Sequence, residues 1–202
     1  MSTPNKNTTS TFNLLDIDHD TLFAGKKKVN SPKDILDIIG ISPGETVVDF
    51  GCGIGYFILE VAERVGENGR VVAVDIDRAM LDAVKDKAVA SGFRNIYGVQ
   101  ADLQIPGATK VADQSADLVI IINLLYYVKK REEALREAFR ILKTGGKMAI
   151  MEWSEKGTVQ AMEKGLYIST SELKDLATKL GFKFFRSLVA SVSHEISIFE
   201  KE

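Results

Sequence analysis

Val47-Val48-Asp49-Phe50-Gly51-Cys52-Gly53-Ile54-Gly55-Tyr56-Phe57 decides how this chain is read. A β-prone apolar run, Thr46 to Phe50, ends in three alternating glycines. Helical spacing then runs from Tyr56 to Val65 and stops at Gly66. Glycine lets a backbone turn sharply and come close to a ligand. The helix start behind the turn offers unpaired N–H groups and a positive dipole end.

Two kinds of cofactor compete for such a turn. Dinucleotide enzymes use G-x-G-x-x-G, whose third glycine permits close helix–strand packing. Counted from Gly51 that position is Tyr56, and counted from Gly53 it is Ile58. The pattern present is G-x-G-x-G with Asp49 two residues ahead, which argues against an NAD-dependent oxidoreductase.

Outward from this turn, strand and helix alternate. Ser31-Pro32-Lys33-Asp34 carries the cap, proline and acid of a helix start. Strands are predicted at Arg70–Asp75, Asn95–Gln100, Leu118–Ile122 and Lys147–Glu152, the fourth-strand run Leu118–Ile122 apolar enough to be central. Asp77 can cap a helix from Arg78 to about Ala90. The segment Leu103–Ser115 reads as a loop or broken helix. Lys130 to Leu142 is amphipathic, with Ala134, Leu135, Ala138, Phe139, Ile141 and Leu142 inward and Gly145-Gly146 as its stop. Such alternation predicts a parallel sheet covered on both faces. The end breaks the rhythm. Ser169 and Glu172 have capping-box spacing before a helix ending at Gly181. Lys183–Val192 and Glu195–Glu200 then follow, separated only by Ser193 and His194, so they form a hairpin and the last strand runs antiparallel to its neighbour.

Two further acids stand at strand ends. Asp75 closes Val71-Val72-Ala73-Val74-Asp75 about 20 residues beyond the glycines, where an acid accepts from ribose hydroxyls. A strand-tip acid there is expected to contribute little to the core. Asp102, in Gln100-Ala101-Asp102-Leu103, could accept from an adenine amino group or simply start a turn. Ligands in such sheets bind outside the carboxyl ends of the strands.

Asp49 to Gly55, Val74-Asp75-Ile76 and Ala101-Asp102-Leu103 together resemble the nucleoside-binding motifs of class I S-adenosylmethionine-dependent methyltransferases. Order and spacing match from about residue 31 to residue 153. The nearest likeness is to the small-molecule branch that includes ubiquinone/menaquinone-biosynthesis C-methyltransferases. The resemblance implies an α/β fold with a Rossmann-like, doubly wound sheet of seven strands, the last antiparallel. It also implies S-adenosylmethionine as cofactor. Gly51 and Gly53 would line its methionine half, and Asp49 would orient the turn around the ammonium. Asp75 would hold the ribose, Ile76 would pack on the adenine, and Asp102 and the Leu103 backbone would meet its polar edge. Asn123, after the fourth strand, would lie near the methionine and the transferred methyl.

Around the acceptor the candidates are Glu152, Tyr127 and His19, with Tyr126 and Trp153 beside them. Each has a plainer reading: surface acid, core aromatic, surface histidine. His194 reads as a turn residue and Cys52 as a small packing residue. Asn123 is followed by Leu124-Leu125-Tyr126 and not by the Pro-Pro-Tyr of DNA-adenine and glutamine methyltransferases. The single cysteine disfavours arsenite as acceptor. A small-molecule acceptor is expected. A protein or peptide acceptor and a non-catalytic cofactor-binding subunit are the alternatives.

The bulk numbers agree with one enzyme domain. There are 202 residues, 45% hydrophobic and 27% charged, with a net charge of -2, which gives no support for a polyanionic partner such as nucleic acid. One cysteine and two histidines offer no metal-ligand spacing, so no metal is expected. Leu118–Val128 is too short for a bilayer span, and the polar N-terminus has no signal-peptide core, so a cytoplasmic protein is expected. Residues 1–30 read as a tail with an arm able to lie over the site as a lid, and 31–202 as the methyltransferase domain.

Overall fold

The architecture comes from a computed structural model that describes residues 31–154, 168–191 and 193–202. The N-terminal arm, with His19, lies outside them, as does the segment between Ser154 and Leu166, where the resemblance to methyltransferases would concentrate acceptor contacts.

The strands are β1 (Thr46–Phe50), β2 (Arg70–Asp75), β3 (Ile96–Gln100), β4 (Ala116–Ile122), β5 (Leu142–Trp153), β6 (Phe182–Val189) and β7 (His194–Lys201). The helices are α1 (Pro32–Ile39), α2 (Ile58–Val65), α3 (Arg78–Ala90), α4 (Arg131–Ile141) and α5 (Thr170–Lys179). The seven strands form one sheet in the order β3-β2-β1-β4-β5-β7-β6. β3, β2, β1, β4 and β5 are parallel, while β7 runs antiparallel to both β5 and β6. The expected fold class and its antiparallel last strand are therefore present.

Strand alternation sorts the side chains between two cores. Val48, Phe50, Val119, Ile121, Met148 and Ile150 face α4 and α5, burying Leu135, Ala138, Leu173 and Ala177. Val47, Val71, Ala73, Leu118, Ile120 and Met151 face α1, α2 and α3. β4, in the middle, is apolar on both faces because both are covered. Ser31 caps α1 through Asp34 N–H, Asp77 caps α3 through Ala79 N–H, and Ser169 and Glu172 close a capping box on α5. No helix among the described residues is long and apolar enough to cross a membrane.

Two expectations are corrected. Gly145-Gly146 does not stop α4. The helix ends at Ile141, and Leu142 is already extended, with φ -68° and ψ 140°. Its last carbonyls are met from elsewhere, because Lys201 Nζ donates to Phe139 O at 2.7 Å and to Leu142 O at 2.8 Å. The glycines instead serve a bulge. Ala116 pairs with Leu142 but Leu118 with Lys147, so the start of β5 carries extra residues. Gly145 takes φ 76°, and a Cβ on Gly146 would stand 2.8 Å from Lys143 O. The hairpin also turns earlier than expected. β6 stops at Val189, and His194 is the first residue of β7, its carbonyl accepting from Ala190 and Ser191 N–H.

Lys201 thus ties the last strand to the end of α4. Lys201→Met keeps the stem and removes both donors, and is expected to cost about 1–3 kcal/mol, read from the midpoint of urea unfolding.

Candidate functional site

The site is built where β1, β2 and β4 end side by side. Gly51, Gly53 and Gly55 take φ of 72°, 51° and 79°. That left-handed region penalises a Cβ. A Cβ would also crowd its neighbours: on Gly51 it would lie 2.7 Å from Leu124 Cδ1, and on Gly55 2.8 Å from Val84 Cγ2. The turn is therefore pressed between α3 and the segment after β4. Its backbone is tied to β2, since Gly51 and Cys52 N–H both donate to Val74 O, at 2.8 and 3.1 Å. Lys87 Nζ holds the far side through Ile54 O at 2.7 Å.

Asp75 does more than end β2. One carboxylate oxygen accepts Gly53 N–H at 2.9 Å, and the other accepts Asp77 N–H at 2.9 Å. It braces the glycine turn and the start of α3 together. Each carboxylate oxygen keeps a further acceptor site for a ligand hydroxyl. Ile76, next in the chain, is 61% exposed, an apolar side chain left facing out beside a polar brace. Asp102 is half-buried and accepts Gln104 N–H at 2.9 Å, as an acid starting a turn does, while Leu103 is buried.

Asp49 lies on the α1–α3 side of β1, 4% exposed. No cation pairs with it among the described residues. Burial first, and the Asp75 charge second, push its carboxyl from 3.8 up to about 7. The same burial and the same two carboxylates push the Cys52 thiol up, so Cys52 is inert packing at neutral pH. Asn123 completes the corner. It has φ 51°, donates its N–H to Met151 O at 2.9 Å, and its side-chain oxygen is buried without a hydrogen-bond partner among the described residues. Leu124 touching Gly51 puts this segment against the glycine turn.

The acceptor-side candidates divide. Tyr127 is 46% exposed and stands edge-on to Tyr126 at 5.1 Å. Burial, then Tyr126 and Glu152, push its phenol up, so it offers a hydroxyl and not a base. Glu152 is not a surface acid. It is 7% exposed and accepts Leu125 N–H at 2.6 Å. Alternation along β5 puts it with Met148 and Ile150 on the α4–α5 side, the face opposite Asp49 and Asp75. His194 is fully buried, and its ring stacks on Trp153 at 4.2 Å on the other face. The sequence gives no sign of that stack, because it depends on the register of Trp153 against His194. Arg131, which donates Nε to Leu125 O at 2.9 Å, was also not legible in the sequence. A hollow of about 790 Å³ lined by Gly69, Arg70, Asn95 and Tyr97 lies at the opposite, N-terminal edge of β2 and β3, away from this chemistry.

The corner therefore presents acceptors seeking donors, Asp49 and Asn123 Oδ1. Beside them are an acid with spare lone pairs, Asp75, and an exposed apolar platform, Ile76. That set suits a ligand with a cationic end, a hydroxylated middle and a flat apolar end. The sequence matches the methyltransferase-domain profile over residues 41–196, from before β1 into β7. This chain belongs to the methyltransferase-domain family. It is similar to the ubiquinone/menaquinone biosynthesis C-methyltransferase of Vibrio vulnificus strain YJ016, 35% identical over 121 residues, which are 59% of this chain and 45% of that protein. The chain thus spans about half the length of the curated relatives it matches. Among solved structures, its methyltransferase domain is similar to a SAM dependent methyltransferase from Aquifex aeolicus, with TM-score 0.77, 21% identity and coverage of 91% of this chain and 93% of that one. It is also similar to geranyl diphosphate C-methyltransferase from Streptomyces coelicolor A3(2), with TM-score 0.70, 14% identity and coverage of 85% and 79%. These likenesses show the fold.

Two outcomes follow from this geometry. Asp75→Ala removes two backbone acceptors as well as a ligand partner. It is therefore expected to lower unfolding free energy by about 1–3 kcal/mol, against the sequence expectation of a negligible structural role, as thermal unfolding will show. Asp49 carries a pH signature. Its folded carboxyl holds a proton up to about 7, whereas unfolded it ionises near 3.8. Its share of stability is thus full below 3.8, drains away as pH rises to about 7, and is flat above. Asp49→Asn escapes that loss, so the melting temperature of the variant minus that of the wild type should grow from pH 4 to about pH 7. A difference that stays constant with pH would sink the assignment of a protonated buried Asp49.

Proposed function

We propose that this chain transfers a methyl group from S-adenosylmethionine to a small-molecule acceptor in the cytoplasm, by in-line displacement. The observation that carries the reading is the pair of adjacent strand-tip carboxylates, Asp49 and Asp75, with no cation beside them among the described residues and an exposed Ile76 next in the chain.

Asp49 and Asn123 Oδ1 would receive the ammonium of the methionine half, and the glycine turn would admit its backbone closely. Asp75 would accept from the ribose hydroxyls while still bracing Gly53. Ile76 would cover one face of the adenine, with Asp102 and the Leu103 N–H at its polar edge. The bound sulfonium supplies a methyl carbon whose sulfur is already a good leaving group. What remains for the protein is to align acceptor and methyl and to exclude water, which can contribute about 7–11 kcal/mol. Asn123, Leu124 and the tyrosine pair sit where the acceptor would approach, at the end of β4. The half-exposed Tyr127 hydroxyl would donate to or accept from it.

A ligand ammonium beside Asp49 favours its ionised form. Binding should therefore release a proton when the free protein still holds one, and affinity should rise with pH up to about 7. Calorimetric titration with S-adenosylmethionine, S-adenosylhomocysteine and NAD, each at pH 6 and pH 8, tests this. The first two are expected to bind, more tightly at pH 8, and NAD not to bind. Binding of NAD alone would replace the reading with an oxidoreductase.

A further inference from the structure

Glu152 is a buried ionisable group that the proposed chemistry leaves unused. Its carboxylate lies on the α4–α5 face, beneath the turn between β4 and α4, and accepts Leu125 N–H at 2.6 Å. Arg131, the first residue of α4, donates Nε to the carbonyl of the same residue at 2.9 Å. Both backbone groups of Leu125 are thus held by side chains, and its own side chain is fully buried. The turn closes on itself through Tyr127 N–H to Leu124 O at 2.9 Å. On one side of Leu125 stands Asn123 at φ 51°, and on the other stand Tyr126 and Tyr127. A backbone bent into the left-handed region keeps its shape only if its surroundings hold it.

We propose that Glu152 and Arg131 are positioning residues that clamp Leu125 and so set the turn presenting Asn123, Tyr126 and Tyr127 to the ligands. The proposal rests on the methyltransferase reading for what those three residues meet, and not for the clamp itself. The clamp works with ionised Glu152, because a carboxylate only accepts, whereas a protonated carboxyl gives up part of its accepting capacity to its own O–H. The charged and titratable groups around the clamp are Arg131 at the start of α4, Tyr127 in the turn, Glu195 opposite Glu152 on β7 and, acting on Arg131, Glu172 in the first turn of α5. Glu195 is already occupied by Thr170 Oγ1 at 2.7 Å and Ser187 Oγ at 2.5 Å. Burial pushes Glu152 up to about 7 against the pull of the Leu125 N–H, Arg131, and the Leu124 and Trp153 N–H groups. The grip should therefore loosen as pH falls below about 7 and tighten above it.

The test is amide hydrogen exchange at residues 124–127 together with S-adenosylhomocysteine titration, at pH 6 and pH 8, on wild type, Glu152→Gln, Glu152→Ala and Arg131→Met. In wild type the chemical rate is divided out, and protection of Leu125 is expected to be greater at pH 8. Glu152→Ala should lose about tenfold or more of that protection and bind the nucleoside more weakly. Glu152→Gln keeps an accepting oxygen, so it should restore most of the protection and abolish its pH dependence. Arg131→Met, at a half-exposed position, should loosen the turn through the carbonyl even if the alanine variant does not fold. Unchanged protection in Arg131→Met and in Glu152→Ala, with wild type itself flat between the two pH values, would overturn the clamp. Loosened exchange with unaltered nucleoside affinity in every variant would overturn the positioning role. If wild type fails to bind S-adenosylhomocysteine yet shows the exchange pattern, the clamp stands and the methyltransferase reading falls.

Discussion

Asp49 and Asp75 put two carboxyl groups at the ends of neighbouring parallel strands, and the rest of the corner follows from how each is met. Asp75 is satisfied from within, by the N–H groups of Gly53 and Asp77. Asp49 is not, and burial leaves it holding a proton up to about 7. A rise of that size corresponds to roughly 4 kcal/mol of disfavoured ionisation. A chain that keeps such a group in its core carries a cost that a cationic ligand would offset. The glycine turn, packed close to Leu124 and Val84, lies against the same corner.

The parts of this arrangement legible in the sequence are those set by local chemistry. Glycine lets a backbone turn sharply, and Gly51, Gly53 and Gly55 all take left-handed φ. Asp77 and Ser169 announce helix starts because capping is settled within a few residues. The terminal hairpin follows from two β-prone runs too close together for anything else. What stayed hidden depends on distant partners. Glu137 sits on the inward side of α4 as a charged residue because Arg140, Thr109 and the Gly107 N–H meet it there, and two of those partners lie about thirty residues away. Lys201 replaces the glycine stop expected for α4, so the helix ends four residues before Gly145 and the glycines go to a strand bulge instead.

The site shows the same division. Asp49, Gly51, Gly53, Asp75 and Ile76 can be named as candidates from sequence because strand, turn and acid are spaced along one stretch of chain. The exposure of Ile76 and the half-burial of Asp102 are consistent with ligand contact, and contact itself is a matter for titration. Glu152 was visible as a strand-tip acid, but its direction was not. Whether it faces the ligand or the supporting helices depends on one step of alternation along β5, which the bulge at Gly145-Gly146 obscures at sequence level.

That alternation explains how one sheet edge can carry buried acids with different work. On the α1–α3 face, Asp49 and Asp75 look toward the glycine turn. On the α4–α5 face, Glu152 looks toward the backbone of Leu125. Both Asp49 and Glu152 are pushed to about 7 mainly by burial, yet the consequences run in opposite senses. Asp49 loses its proton at a cost unless a cation arrives, so ionisation leaves a buried charge open to a cation. Glu152 loses its proton into a cluster of N–H groups and beside Arg131, so ionisation firms up a turn. Raising the pH through neutrality would therefore charge the Asp49 corner and stiffen the turn at Leu125 together. One titration range would thereby govern both groups, although the two carboxylates lie on opposite faces of the sheet and share no hydrogen-bond contact.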